Sequence, residues 1–337
     1  MALAPLQAEP LVSVLMPSYN YASYVTAAIA SVQAQSWTHL EIIVCDDGST
    51  DGSADIVRRL AASDDRIRLI VQENAGVAVA LNRAFAAARG EVICLLDADD
   101  VYEATKIAAV VATMQRKQQA GFVQHAMSVV DAAGEFIRTL PTHGHFEAGW
   151  LGPALLKRGG RWRNMPASAL SFRREVAERL FPLPAAYLSS MADAYLYMLA
   201  PLLTEVAYQP EPLSSYRLHG NNLTGALHFD AQLSRKYVEG IARVHAAVKD
   251  AVDRRGLSLP AYAAADHLTH NEHQFMVQLF SGAARGALWS MYRVLVRQIR
   301  ADDLYPEKRK LAGIAVLGVA ILLPLQSRAG WVSRMMG

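Results

Sequence analysis

Glu91-Val92-Ile93-Cys94-Leu95-Leu96-Asp97-Ala98-Asp99-Asp100 is the stretch whose reading decides the fold. From Val92 to Leu96 it is apolar and uncharged, as suits a short strand buried on both faces of a parallel sheet. It then breaks into three carboxylates within four positions. Carboxylates at that density repel one another unless a cation or a donor-rich ligand offsets them. In an open α/β sheet, ligands bind beyond the carboxyl ends of the strands. The stretch therefore points to a metal-assisted site for an anionic ligand of the nucleotide-diphosphate kind. Taken alone, Asp-x-Asp is short and common, and a solvated acidic turn is the simpler account of it.

Working outward, the same alternation recurs. Leu11–Met16 reads as a strand, broken by Pro17-Ser18-Tyr19-Asn20. A helix over about 21–35 follows, with Val25, Ile29 and Val32 at helical spacing. Glu41–Cys45 is a second strand, closed by Asp46-Asp47-Gly48-Ser49, and a helix over about 54–62 comes next. A third strand spans 66–71, and Asn74-Ala75-Gly76 opens a helix to about residue 89. The order β-α-β-α-β-α-β with short loops predicts a parallel, helix-covered sheet. Right-handed crossovers would carry Pro17–Asn20, Asp46–Ser49 and Asp97–Asp100 to one rim. Downstream, the pattern predicts a helix over 101–119, a strand over 121–130 and a hairpin through 131–135. Residues 141–165 are aperiodic and suit a loop over the site. Helices are expected over about 229–252 and 271–299.

At 337 residues the chain can bury a full core, and one large domain with a smaller one is the natural prior. Hydrophobic residues make up 52%, which leaves room for a membrane-facing portion. The formal net charge is +2 without a long basic block, so nucleic acid is not expected as a partner. Cys45 and Cys94 each lie in an apolar strand-like run and read as buried reduced thiols, which fits a reducing cytoplasm. Residues 1–10 read as a flexible lead-in without the features of a signal peptide.

Four motifs now stand in order. They are Val12-Ser13-Val14-Leu15-Met16-Pro17-Ser18-Tyr19-Asn20, Glu41-Ile42-Ile43-Val44-Cys45-Asp46-Asp47-Gly48-Ser49-Thr50-Asp51, Asn74-Ala75-Gly76 with Ala80-Leu81-Asn82, and Asp97-Ala98-Asp99-Asp100. Together they are specific where each alone is not. With them the chain resembles the family 2 inverting glycosyltransferases of the GT-A fold, over about residues 11–222. The resemblance implies an α/β catalytic domain over 1–227, with a Rossmann-like, mostly parallel sheet covered by helices. It leaves 228–337 as a C-terminal helical extension, membrane-associated or dimerising. Pro17, Tyr19 and Asp47 would line the base pocket, with Asn20 in the same turn; Gly76 and Asn82 would be donor-side positions. Tyr19 offers a ring for stacking, and Asp47 an acceptor for a pyrimidine N–H. Asp97 would contact the ribose, and Asp99 would hold Mn²⁺ or Mg²⁺, hard cations that prefer oxygen ligands and bridge phosphates. Asp46 reads as bonding turn amides, Asp100 as a cap for the next helix, and Arg83 as a diphosphate contact or a surface charge alike.

The resemblance continues through Pro166–Arg174, as the strand before the catalytic segment, to Asp193, a lone acid in an apolar helical stretch. The family shows Glu-Asp here with the Asp as general base. Ala192 precedes Asp193 in this chain, so the match is partial and a helix N-cap is the alternative. Tyr216-Arg217-Leu218-His219 with Asn221 closes the resemblance. It implies that His219 completes the metal shell or touches the diphosphate, and that Arg217 offsets diphosphate charge. Trp150, Trp162 and Arg163 are either sugar contacts or loop anchors.

The implied reaction moves a sugar from a nucleotide diphosphate sugar, UDP-linked, to the hydroxyl of a glycan, lipid-linked or other acceptor, in polysaccharide, glycolipid or cell-envelope glycan synthesis. Inversion by single displacement needs one base, Asp193. A nucleotidyltransferase is a weaker reading, because its Gly-rich basic loop is replaced by Pro17-Ser18-Tyr19-Asn20. A catalytically silent nucleotide-sugar binder or scaffold is the non-enzymatic one. Leu311–Gln326 is apolar, with Lys308-Arg309-Lys310 before it and Arg328 after. It is shorter than the ~20 residues of a bilayer span. It reads as a helix lying in an anionic membrane surface, with a buried helix or a homo-oligomer contact as the alternative. That reading places the enzyme in the cytoplasm, at the inner face of the membrane.

Overall fold

The structure, a computed structural model, describes residues 3–142, 146–188, 191–219, 231–255, 267–304 and 306–336. Ser189, Ser190, Asn221, Asn222 and the start of the helix expected from residue 229 lie outside the described residues. The chain divides into two compact units, residues 1–152 with 164–220 and residues 153–163 with 221–337.

The first unit opens with β1 (Val12–Ser18), α1 (Val25–Gln33), β2 (Leu40–Asp46), α2 (Ser53–Ala61), β3 (Ile67–Val71), α3 (Val77–Ala87) and β4 (Val92–Leu95). Every residue of β1, β2 and β4 is buried, which is why these runs tolerate no outward polar face. Near the start of β1 and β2 the buried polar side chains Ser13 and Glu41 satisfy each other. Glu41 accepts from Ser13 Oγ at 2.6 Å and from the Arg89 backbone and guanidinium at 2.7–3.1 Å. On α1 the residues Val25, Ala28, Ile29 and Val32 form the buried stripe that covers the sheet. Val25, Ile29 and Val32, fully buried, each contribute about 1.5–3 kcal/mol.

The expected parallel order is found in this half, where β3-β2-β1-β4 lie side by side and parallel. The sheet as a whole is mixed. After Asp100 come β5 (Val101–Tyr102), α4 (Lys106–Arg116), β6 (Ala120–Val130), β7 (Phe136–Leu140), α5 (Gly152–Lys157), β8 (Ser171–Arg173), α6 (Arg174–Leu180), α7 (Ala192–Leu199) and β9 (Glu205–Arg217). The full path is β3-β2-β1-β4-β8-β6-β9-β5, with β7 on β6. Strand β8 runs antiparallel to both β4 and β6, and β9 runs parallel to β6. Two local expectations change. The helix predicted from Val101 starts at Lys106, because Val101 and Tyr102 pair with Ser215 and Ser214 of β9. Of Pro166–Arg174 only Ser171–Arg173 is strand, since a single 3₁₀ turn takes Ala167–Ala169 and Arg174 begins α6.

The second unit is helical: α5, then α8 (Ala231–Arg254), α9 (Leu268–Phe280), α10 (Arg285–Ala301), α11 (Glu307–Leu322) and α12 (Leu325–Met336). The single helix expected over 271–299 is two, because Gly282 takes φ +79° and turns the chain. Likewise the apolar run expected over 311–326 is helical from Glu307 and stops at Leu322, before Pro324. Among the described residues no helix is long and apolar enough to cross a membrane. Residues 158–163 belong to this unit through ion pairs that local sequence does not reveal. Arg158 holds Asp303 in two bonds of 2.6 and 2.8 Å, and Arg161 meets Asp302 at 2.6 Å with both side chains buried. Trp162 is buried and Arg163 donates to the Leu304 carbonyl, so both anchor their segment.

Candidate active site

Register brings the strand ends together. Ser18 is level with Asp46, and Leu15 is level with both Ile43 and Leu95. Pro17–Asn20, Asp46–Ser49 and Asp97–Asp100 therefore leave the sheet along one edge. Their turns are laced by side-chain hydrogen bonds. Asn20 sits at φ +59° and accepts from the Thr50 N–H at 2.8 Å, while its own N–H donates to Ser49 Oγ at 2.8 Å. The N–H groups of Tyr21 and Ala22 donate to Ser53 Oγ and Asp51 at 2.9 Å. Tyr19 stays 46% exposed at the end of β1.

Asp47 is buried and heavily engaged. Its carboxylate accepts from Gln72 Nε2 at 2.6 Å and from the N–H groups of Ala75 and Gly76 at 2.8 Å. Three of about four lone-pair sites are thereby occupied. Asp46, expected to bond turn amides, accepts from the Ser49 N–H at 2.9 Å through one oxygen. Its other oxygen and the Ser18 hydroxyl, level with it across the strands, are buried without a hydrogen-bond partner in the described structure. Gly76 holds φ +90° at the start of α3 and spends its N–H on Asp47. Asn82 is placed differently from the other donor-side candidates. Its amide is taken up by Leu183, whose carbonyl accepts at 2.9 Å and whose N–H donates at 2.6 Å. Arg83 is exposed on α3.

The acidic turn is held from three directions. Ser168, fully buried in the 3₁₀ turn before β8, accepts from the Asp97 N–H at 3.0 Å and donates to Asp100 at 2.6 Å. Asp100 also accepts from the Arg217 backbone N–H at 2.9 Å. Asp100 is thus a buried latch, and the expected helix-cap role falls away because a strand follows it. The pairing of β5 with β9 is what returns Arg217 and His219 to this turn. The Arg217 guanidinium donates to the carbonyls of Asp99 and Ala132 at 3.0 and 3.2 Å. His219 Nε2 lies 2.9 Å from an Asp99 carboxylate oxygen.

Two residues here escaped sequence reasoning, Tyr21 and Tyr24. The Tyr24 ring stacks on His219 with centroids 4.9 Å apart and an interplanar angle of 16°. The Arg217 guanidinium lies 5.5 Å from the Tyr24 ring centroid. Tyr21 meets His219 edge-on at 6.2 Å, and its hydroxyl bonds to Asp99. Burial and the charges of Asp99, Asp97 and Asp100 raise the Tyr21 phenol well above its usual range. The only sequence signal was their spacing, three residues apart just before α1.

Burial, then Asp100, Asp99 and Asp193, push the Asp97 carboxyl well above the usual carboxylate range. Asp193 is thereby within electrostatic reach of Asp97, although it lies nearly a hundred residues away in sequence. Burial, then the charge of Asp99, pushes Asp100 up to about 8, against the bonds from Ser168 and Arg217. Asp193 occupies the second position of α7, and its carboxylate accepts from the Ala194 N–H at 2.8 Å. The helix N-cap is Met191, so Asp193 is not the cap. Burial raises its carboxyl too.

Does this donor set fit a divalent cation? Among the described residues no three His, Cys, Asp or Glu side chains close a shell around an ion. An ion such as Mg²⁺ is ordinarily held by one or two protein ligands with phosphates and water. Asp99 and His219, 2.9 Å apart, offer a carboxylate oxygen and a ring nitrogen side by side beyond the end of β4. The raised carboxyls beside them carry the repulsion that a cation would relieve. The residues fit.

Residues 13–181 match the family model described as glycosyl transferase family 2. An uncharacterized glycosyltransferase of Nostoc sp. is 35% identical over 247 residues, covering 73% of this chain and 76% of that protein. Chondroitin synthase of Escherichia coli is 41% identical over 100 residues, 30% of this chain and 15% of that enzyme. Among solved structures, S. aureus TarS 1–349 in complex with UDP aligns with a TM-score of 0.54 and 15% identity, covering 97% of this chain and 92% of that one. The mannosyltransferase PcManGT from Pyrobaculum calidifontis, in complex with GDP-Man and Mn²⁺, gives 0.53 and 19%, with coverages of 99% and 88%. At these identities the likeness speaks for the fold alone. The family model spans half of the chain and the Nostoc relative is matched over three quarters of its length, so this chain belongs to glycosyltransferase family 2, a glycosyltransferase of the GT-A fold.

Proposed function

We propose that the enzyme transfers a sugar, with inversion, from a nucleotide diphosphate sugar to an acceptor hydroxyl, and that Asp193 is the general base. The observation that supports this reading is electrostatic: Asp193, a buried carboxylate on α7, is among the charges that push up Asp97, which stands at the edge where the turns of β1, β2 and β4 gather. Burial holds the Asp193 carboxyl above the ordinary range, nearer the pH at which a base works best. Asp193 takes the proton of the acceptor hydroxyl as that oxygen attacks the anomeric carbon. Asp97 binds the ribose, and Tyr19 stacks on the base from its exposed position. Asp47 contributes its remaining lone pair to the same pocket, with Pro17 and Asn20 shaping the turn. Asp99 and His219 would hold Mn²⁺ or Mg²⁺, which when bound offsets the negative charge that builds on the departing diphosphate. Arg217 adds positive charge beside them.

The donor is read as UDP-linked from the sequence resemblance; among the fold neighbours TarS is seen with UDP or UDP-GlcNAc and PcManGT with GDP-Man, so the base is the first thing to test. A role in polysaccharide or cell-envelope glycan synthesis draws support from the chondroitin synthase relative. Work in the cytoplasm, at the inner face of the membrane, suits the two buried free thiols, Cys45 and Cys94. The experiment is a panel of nucleotide sugars with Mn²⁺, read first as a rise in melting temperature and then as transfer. Asp193→Asn should retain donor binding and lose transfer by a hundredfold or more. Wild-type turnover in that variant removes Asp193 from the mechanism, and donor binding without transfer or hydrolysis in the wild type would favour a silent binder.

A further inference from the structure

Among the described residues nothing in its own unit covers the outward face of α11. Leu311, Ala315, Val319 and Leu322 recur at helical spacing and are all exposed, Leu311 at 61% and Leu322 at 59%. The opposite face of the same helix is complete. Leu317, Ala320 and Ile321 are buried in one cluster with Leu279, Leu288 and Leu295. Single exposed leucines need no explanation, but a stripe without a polar residue, continued by exposed Leu325 beyond the helix, does.

Charge decides what covers it. From Arg285 to the end there are nine Lys or Arg and three Asp or Glu, whereas the preceding 284 residues carry 24 against 28. A chain of net charge +2 therefore concentrates +6 in its last three helices. Arg293, Arg297, Arg300, Lys308, Arg309 and Arg334 are exposed there. The three acids are already engaged, Asp302 by Arg161, Asp303 by Arg158 and Glu307 by Lys310. A second copy docking on this stripe would bring the same positive charge against itself. A negatively charged apolar surface accepts both the stripe and the cations. We propose that the outward face of α11 seats the enzyme on an anionic lipid surface, the helix lying in the plane of the headgroups. This rests on the membrane location proposed above and not on the transfer chemistry.

The test is flotation of the full chain with vesicles of phosphatidylcholine alone or with about one third phosphatidylglycerol. Binding is expected to the anionic vesicles only, and to weaken as salt is raised. Leu311→Glu with Leu322→Glu should lower the bound fraction at least tenfold, with the circular dichroism spectrum and transfer to a soluble acceptor unchanged. The proposal is overturned by failure to bind anionic vesicles, by equal binding to neutral ones, or by equal binding of the variant. A dimer in sedimentation velocity that the same variant dissolves would assign the stripe to a second copy. Loss of transfer activity in the wild type would leave the vesicle result standing, so the two readings fail separately.

Discussion

Ser168→Ala isolates the device that holds the acidic turn. The Ser168 side chain is fully buried, and its hydroxyl serves two groups on that turn at once. Alanine removes a 2.6 Å bond to the Asp100 carboxylate and a 3.0 Å bond from the Asp97 N–H. A hydrogen bond to a charged group contributes about 1.5–3 kcal/mol and a neutral one about 1 kcal/mol, so the loss is about 3 kcal/mol where Asp100 is ionised and about 2 kcal/mol where it is protonated. For a unit of this size each kcal/mol moves Tm by roughly 2–4 °C, which gives a fall of roughly 6–12 °C with Asp100 ionised and roughly 4–8 °C with it protonated. The pH dependence sharpens the test. Asp100 already sits at about 8, above its unfolded value, so the folded state binds the extra proton and stability falls as pH rises through that range. Ser168 holds that value down; without it, ionising Asp100 costs more, and the penalty of the variant should be larger at pH 9 than at pH 6. The assay is thermal unfolding by circular dichroism at both pH values in a chelator. A shift under about 2 °C at both, or the same shift at both, would refute the latch.

Tyr24→Ala removes the ring that stacks on His219 and lies beside Arg217; if His219 and Asp99 hold a metal, the Mn²⁺ concentration for half-maximal transfer should rise about tenfold, and Tyr24→Phe should restore most of it. An unchanged Mn²⁺ requirement would show that the stack does not position His219. Gly48→Ala should cost about 1–3 kcal/mol in urea unfolding. The residue sits at φ +79°, and a Cβ there would meet the Asn74 backbone nitrogen at 2.9 Å. Wild-type stability would mean that the turn after β2 can relax. In the helical unit, burial pulls His267 down to about 2 and His273 down to about 4, with neighbouring histidines adding to it. A histidine depressed in the folded state contributes stability above its unfolded value near 6.5, and that stability is lost as pH falls below it. Wild type should therefore lose about 2 kcal/mol more than His267→Phe between pH 7.5 and pH 5, and equal losses would count against the buried neutral ring.

Much of this protein was legible without coordinates, for a local reason. Strands buried on both faces must be short and apolar, and the loops at their carboxyl ends must supply turns, so β1, β2, β3 and β4 announce themselves within a residue or two, and α1, α2 and α3 within about four. The acidic turn and its parallel neighbours followed from the same pattern. What the sequence could not determine depends on pairing across long separations. Val101 and Tyr102 look like the start of a helix until β9, over a hundred residues later, takes them as a strand and returns Arg217 and His219 to Asp99 and Asp100. Ser168 looks like one small residue in a strand until the antiparallel insertion of β8 beside β4 sets it under the turn. Asn82 matched a motif by spacing, yet tertiary packing gives its amide to Leu183. Local periodicity determined which residues would be strand, helix and acidic turn; hydrogen bonding between distant segments decided which side chains hold that turn and which are free to act from it.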